Sequence, residues 1–489
     1  MKSRTLGTFA AIGSVGCAAF LDLEGYEEKS RAVPDLGSVL ADAAAVTDGR
    51  SPEGVGPTDP CMRADKPTVE VSELTDDATF ECSRNYLLKG QVFVPSGKTL
   101  TIQPGTTILG QRGLSSDPLA VSLLVVEAGA RLVADGKPDR PIVFTSASPK
   151  AQRKAGDWGG VVVLGRARTN QGVKLFEAGD GTEHYSFGGD DDDDDSGTLR
   201  YVRIEYGGFT VFQNKEVNGL TFAGVGRKTV VDHVQVRMVT DDCFEFFGGT
   251  VNAKHLLCQY NQDDGFDWDF GYRGKLQFLV LQQDPNVYDD ANGFEGDNGG
   301  VPGEWDREPQ SEPIIANATL CGPGRRPTRP SSEAGPGPLR RRYGMLLRRN
   351  TRAHIHNSVV LGFEGGWNAQ RPTQKLAVEL KGNVFFGNGW NPMRTAADFG
   401  FQESEAGVDF FADDDDGFDE PGFAANGNDS SDPGISGCFD PKAPSFGPGG
   451  ELPAASLTDP FFTPAPYKGA LRDARDGWAT APWTVWDDK

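Results

Sequence analysis

The stretch Asp241-Asp242-Cys243-Phe244-Glu245 returns as Asp263-Asp264-Gly265-Phe266-Asp267, 22 residues later, and this recurrence decides the fold. A looser copy, Ala291-Asn292-Gly293-Phe294-Glu295, follows after 28 more residues, and Leu361-Gly362-Phe363-Glu364 resembles a fourth. The flanks keep register as well, since His233 and His255 each stand 12 residues before the acid that closes their motif. Repeats of this length are the mark of a solenoid, in which each coil buries its apolar face against its neighbour. Side chains alternate along a strand, so each Phe and the acid after it point to opposite sides. The Phe series 244, 266, 294 and 363 is therefore expected to stack inside, and the acid series 245, 267, 295 and 364 outside.

Upstream of the motifs lie short β-rich runs bounded by turn residues, among them Gln91–Val94, Thr99–Ile102, Leu123–Val126, Val161–Leu164 and Val230–Val236. A recurring phrase of apolar run, Pro or Ala, Gly and apolar run occurs around Gly105 and again around Gly129, which suggests a coil of 24 residues. No helical run of 12 or more residues alternates with these strands, which speaks against a doubly wound α/β fold. The expected class is all-β, with a parallel β-helix over residues 69–395. Residues 18–68 are rich in Ala, Gly, Pro and acids without a period, and read as a disordered tether. Residues 396–489 read as an irregular C-terminal region, whose Trp478, Trp483 and Trp486 are expected to cap the last coil. Two segments look inserted. Asp190–Asp195 reads as a solvated loop, and 322–342, with Arg325, Arg326, Arg329, Arg340, Arg341 and Arg342, reads as a disordered loop or a site for an anionic glycan or lipid head group.

The 489 residues carry a net charge of −22, which argues against nucleic acid, because phosphate binding needs a basic surface. An exported protein or a cation binder fits better. Lys2 and Arg4 precede a mostly uncharged run from Leu6 to Gly16, and Val15-Gly16-Cys17 resembles a lipoprotein cleavage site. Residues 1–17 are thus expected to direct export and leave a lipid on Cys17. The expected location is the outer membrane or cell surface, with a periplasmic or secreted protein as the alternative. No later stretch reaches the ~20 apolar residues that span a bilayer, so the membrane is contacted through the lipid only. Six further cysteines in an exported chain permit disulfides, and Cys61 with Cys82 is the pair favoured by proximity.

Coils in a β-helix lie ~4.8 Å apart. Two carboxylates at that distance repel by ~3.5 kcal/mol at an effective dielectric near 20. Bound cations, nearby Arg or Lys, raised pKa values or splayed loops must offset this. Calcium takes six to eight oxygens in flexible geometry. Asp241, Asp242, Glu245, Asp263, Asp264, Asp267, Asp269, Asp289, Asp290, Glu295 and Asp297 offer them. Two other readings stand beside Ca²⁺. The Asp and Asn residues can serve only the turns between coils. Alternatively Asp241, Asp242, Asp263 or Asp264 can act on a sugar, as paired carboxylates do in glycoside hydrolysis. None of the five histidines has the glycine neighbours of a polygalacturonase signature, and His233 and His255 are expected to pack between coils. A lyase would need a base such as Arg203, Arg237 or Arg273, and nothing in the sequence selects one. The tryptophans Trp158, Trp268, Trp305, Trp367 and Trp390 read as buried packing or as sugar platforms.

The runs Gly207-Gly208, Thr221–Gly226, Asp232–Gln235, Asp241–Lys254, Asp263–Asp269 and Gly274–Phe278, with Tyr467–Ala470 and Trp483–Trp486 near the end, resemble a family of bacterial exported proteins and lipoproteins. That resemblance implies a right-handed parallel β-helix of pectate-lyase-like architecture, and it transfers no catalytic residue. The expected function is a Ca²⁺-stabilised, glycan-binding or structural module facing a polysaccharide or cell-surface ligand. The alternative is a polysaccharide lyase or glycoside hydrolase. Oligomeric state stays open.

Overall fold

Short strands with alternating burial, such as Gln91–Val94 and Thr99–Ile102, need a second layer for their buried face, and here the chain supplies it by coiling on itself. The computed structural model describes residues 59–486, apart from 114–119, 178, 180, 213–214, 287–290, 325–341, 364, 370–376 and 389–424. Cys17, most of the tether, Asp289, Asp290, Trp390 and nearly all of the Arg-rich insertion lie outside the described residues. The fold is a parallel β-helix. Its right-handed sense is the one parallel crossovers adopt.

One nine-stranded parallel sheet runs in the order Gln91–Val94, Leu123–Val126, Gly160–Leu164, Leu220–Ala223, Phe244–Phe247, Phe266–Asp269, Phe294–Gly296, Met345–Leu347 and Asn368–Ala369. A sixteen-stranded sheet forms the other two sides of the coil. Its central strands Gly197–Glu205, Val230–Arg237, Asn252–Gln259, Lys275–Gln282 and Ile314–Cys321 turn a corner without breaking. At each bend stands a left-handed residue. Tyr201, His233, His255, Phe278 and Asn317 have φ between 49° and 63° and fall at the same place in register. No side chain adopts that backbone for free, but stacking offsets the strain. The Tyr201, His233, His255 and Phe278 rings stack in sequence with centroids 4.5, 4.2 and 4.9 Å apart. The histidines thus pack between successive coils, as expected, in a column at an outer corner.

The motif register agrees with the strand pairing. Phe244 faces Phe266 and Phe266 faces Phe294, all three fully buried, while Glu245 faces Asp267 and Asp267 faces Glu295. The fourth copy does not join. Met345 follows Phe294, because the coil carrying the 322–342 insertion sets corresponding residues 51 apart (Asn292 and Tyr343). Phe363 is buried elsewhere, beyond the strand Val359–Leu361. In the next column Trp268 takes the space above Gly296, where a Cβ would meet the indole at 2.3 Å.

The 24-residue coil expected from Gly105 and Gly129 is a misalignment. Thr99 pairs with Arg131, and the Gly97 N–H reaches the Gly129 carbonyl, so Gly129 matches Gly97. Gly105 marks a different corner, ahead of Thr107–Gly110, which pairs with Ile142–Ser146. The apolar–Gly–apolar phrase occurs at two unlike corners of one coil.

Two segments cover the outside. Residues 165–196 and 206–218, on either side of the coil strand Gly197–Glu205, place Phe176, Tyr185, Phe187, Val211 and Val217 over the outward Leu123, Val125, Val162 and Leu164. The C-terminal region does not simply cap the last coil. It lies along the flank, with Ile435, Phe446, Leu471, Trp483 and Trp486 against Leu257, Val280, Val359 and Leu361. Side-chain amides hold it: Asn317 Nδ2 donates to the Tyr467 carbonyl, and Gln235 exchanges hydrogen bonds with Val485. Disulfides join Cys61 to Cys82, Cys243 to Cys258, and Cys321 to Cys438, the last tying the flank segment to the coil. The acidic run 190–195 is only partly a solvated loop: Asp190, Asp191 and Asp193 are exposed, but Arg168 donates to Asp192 through its backbone N–H and guanidinium, Arg273 lies 3.3 Å from Asp192, and Asp194 is buried and accepts from Ser196.

The Phe column is the interior spine, so Phe266→Ala should cost about 3–5 kcal/mol of unfolding free energy. Urea denaturation followed by tryptophan fluorescence measures it, and a loss below about 1 kcal/mol would contradict the packing.

Candidate functional site

The outward side of the nine-stranded sheet changes character along the axis. Its first coils present Leu123, Val125, Val162 and Leu164, and its later coils present Glu245, Phe247, Asp267, Asp269 and Glu295. Strand alternation places the acids there, opposite the buried Phe244, Phe246, Phe266 and Trp268.

The turn before each strand builds a second column. Asp242 Oδ1 accepts the Asp264 N–H at 2.7 Å, Asp264 Oδ1 accepts the Asn292 N–H, and Asn292 Oδ1 accepts the Tyr343 N–H at 2.9 Å. Asn218 Oδ1 begins the series by accepting the Asp242 N–H at 3.3 Å. The second acid of each Asp-Asp pair thus satisfies a buried amide one coil along. Sequence reading missed Asn218, although Asn218-Gly219-Leu220 parallels Asn292-Gly293-Phe294.

Three sets of carboxylate oxygens converge, each within 4.8 Å: Asp241, Asp242 and Asp263; then Asp242, Glu245 and Asp267; then Asp264, Asp267 and Glu295. The column is neutralised unevenly. At one end Arg348 pairs with Glu295 and, at 2.8 Å, with Asp297, and Arg349 reaches Asp297 at 2.7 Å. These arginines carried no signal in the sequence, because the enlarged coil separates them from the motifs. Next to them Asp269 is buried and its carboxyl is pushed up, first by burial and then by Asp297, against the pull of Arg349 and Lys174.

Neither Glu245 nor Asp267, in the middle, forms an ion pair with a described basic residue. Glu245 is only 6% exposed; Asn218 Nδ2 donates to its Oε2 at 3.0 Å, yet Oε1 is buried with no hydrogen-bond partner. Asp267 keeps part of its surface open, but its Oδ1 is covered and unpartnered. Burial raises Glu245 well above the usual carboxyl range, with Glu177, Asp241 and Asp269 adding to it and a hydrogen bond with Asp242 opposing it. Asp267 is raised by burial and then by Glu245 and Glu295. At the far end burial, Glu216 and Glu177 push Asp241 up to about 8, and burial with Glu177 pushes Glu216 up to about 7. Asp242 is raised by burial and then by Asp241.

Of the four acids considered for sugar cleavage, only Asp263 is partly exposed. Asp241, Asp242 and Asp264 are buried, and Asp242 and Asp264 are committed to backbone amides. Of the basic groups, Arg203 pairs with Glu205, Arg237 is buried on Gln259, and Arg273 is drawn to Asp192. Trp158, Trp268 and Trp367 are buried in the coil. A family model described as a pectate-lyase like beta helix domain matches residues 72–389. No curated protein and no solved structure matches the chain.

Two outcomes follow from this geometry. Asp264→Asn keeps the acceptor and removes a charge, so in EDTA at pH 8 it should match or exceed the wild type; Asp264→Ala strands the Asn292 N–H and should lose about 1–3 kcal/mol. Equal losses would show that the amide acceptor is not what matters. The raised acids also set a pH dependence. Their folded pKa values lie above the unfolded ones, so the folded state binds more protons and stability falls as pH rises. The metal-free protein should therefore melt higher at pH 5 than at pH 8, with the loss spanning about pH 4 to the values of about 7 and about 8 at Glu216 and Asp241. A flat or rising profile in EDTA would contradict it.

Proposed function

The chain belongs to the pectate-lyase-like β-helix family, and from that premise we propose that it is an exported binding module whose acidic column is completed by Ca²⁺. The observation that supports this is the set Asp242, Glu245 and Asp267, where two buried or covered carboxylate oxygens have no hydrogen-bond partner and neither Glu245 nor Asp267 forms an ion pair with a described residue. Unpaired buried charge is costly, and a divalent cation bridging successive coils offsets it. Calcium suits an all-oxygen set of this kind. The neighbouring set with Glu295 already has Arg348, which makes the Glu245 set the better locus.

The partner we assign is a polysaccharide at the cell surface, bound along the later coils of the β-helix. A lipid on Cys17 would hold the module at the outer membrane or cell surface, and Cys17→Ala should then move the protein to the soluble fraction. Burial of Asp241, Asp242 and Asp264 favours a structural role for these acids over sugar cleavage.

Calorimetric melting with elemental analysis tests the calcium reading. Binding must displace protons from the raised acids, so Ca²⁺ should raise the melting temperature more at pH 8 than at pH 5. A free concentration 100 times the dissociation constant adds about 2.7 kcal/mol. Glu245→Gln should abolish most of that gain. An EDTA-insensitive melt with no bound calcium would sink the proposal. Incubation with acidic and neutral polysaccharides reports on the partner: Ca²⁺-dependent retention supports a binding module, whereas new reducing ends or unsaturated products that vanish in Asp264→Ala would replace it with an enzyme.

A further inference from the structure

We propose a second, chemically distinct metal site on the last coils, in which His354, His356 and Glu379 bind a Zn²⁺-class transition metal. The strand His354–His356 buries Ile355 completely, so both imidazoles stand on the outer side two residues apart. Glu379 is the in-register neighbour of His354 on the following strand. One ligand atom from each of the three lies within 4.8 Å of the others. Two imidazoles and a carboxylate form a borderline-soft set that suits zinc and its neighbours rather than calcium.

Further contacts point the same way. His354 Nδ1 lies 3.0 Å from Glu379 Oε2, whereas its Nε2 lies 3.3 Å from Glu312 Oε1 on the preceding coil. A metal on the Nδ1 side would leave Glu312 holding the opposite N–H, the carboxylate–histidine–metal relay that orients ligands in many zinc sites. The His356 ring makes no hydrogen bond among the described residues, so both of its nitrogens are available to a ligand. Lys381, registered opposite His356, is exposed and can swing into solvent. Three protein ligands leave a coordination position for water or a substrate atom.

The other histidine cluster makes a useful contrast. Asp232, His233 and His255 also lie within 4.8 Å, but both Nδ1 atoms already converge on Asp232 Oδ1, at 2.9 and 2.7 Å. Their rings are sandwiched between Tyr201 and Phe278 with Trp478 edge-on to both, so that network is closed by aromatics. It belongs to the corner column. The side chains of His354, Glu312 and Glu379 stay partly exposed.

The test uses the full chain without a polyhistidine tag, stripped with EDTA and titrated with Zn²⁺ by calorimetry and with Co²⁺ by visible absorption. The wild type should bind one equivalent and give the intense bands of four-coordinate Co²⁺. His354→Ala and His356→Ala should lose both signals, and Glu312→Gln should weaken binding about 10- to 100-fold. His184→Ala and Glu245→Gln should leave them unchanged, which separates this site from a nonspecific histidine and from the calcium proposal. Should His354→Ala fail to fold, His356→Ala carries the test, because its ring has no hydrogen bond to lose. No binding by the wild type, or undiminished binding by a folded His354→Ala/His356→Ala double variant, would overturn the site.

Discussion

In-register parallel stacking is the constraint on which the rest of this molecule depends. Backbone hydrogen bonds set each strand directly over its counterpart, so every side chain meets the residue at the same place in the next coil. Stacking like on like helps an apolar or aromatic column and penalises a charged one. Phe244, Phe266 and Phe294 gain from it, and so do the corner rings from Tyr201 to Phe278. Glu245, Asp267 and Glu295 occupy the same register on the other side of the sheet and are penalised by it.

The acidic column meets that penalty by different means along its length. Arginines neutralise the end at Glu295 and Asp297. Buried backbone amides hold Asp242 and Asp264, which explains why Asn serves equally well at 218 and 292: the position needs an acceptor, not a charge. Raised pKa values relieve Asp241, Glu216 and Asp269. Glu245 and Asp267 combine buried, unpartnered oxygens with the lack of an ion pair to any described residue, and that combination, rather than the number of acids, singles them out.

What the sequence discloses follows from whether a feature repeats at coil period. The Phe and acid columns repeat, and their register could be read directly from the 22- and 28-residue steps. Asn218 was readable in principle, but only once Asp and Asn are treated as interchangeable acceptors. The Gly105–Gly129 alignment failed because two corners of one coil need the same phrase, a glycine with positive φ between two short strands. Arg348 and Arg349 gave no signal, since a long insertion pushes their coil far from the motifs in sequence while stacking returns it to contact. The same holds for the Arg168 and Arg273 contacts that anchor the acidic run at Asp192.

The strands of the coil also call for outer coverings. Strands such as Leu123–Val126 and Gly160–Leu164 are apolar on both sides, a pattern that requires a layer outside as well as a core inside. Residues 165–196 and 206–218 supply that layer over the early coils, and the C-terminal region supplies it along the sixteen-stranded sheet, fastened by the Cys321–Cys438 disulfide. Both layers extend past the apolar strands: Phe176 and Phe187 also pack on Phe247 beside the acids, and Lys254 and Lys275 reach Thr463 and Asp459 of the C-terminal region. Charged ligand sets stand on two sheets: the largely buried acidic column on one, and the partly exposed His354, His356 and Glu379 cluster on the other. Placing them at successive coils makes their spacing a property of the backbone ladder, fixed by main-chain hydrogen bonds rather than by loops.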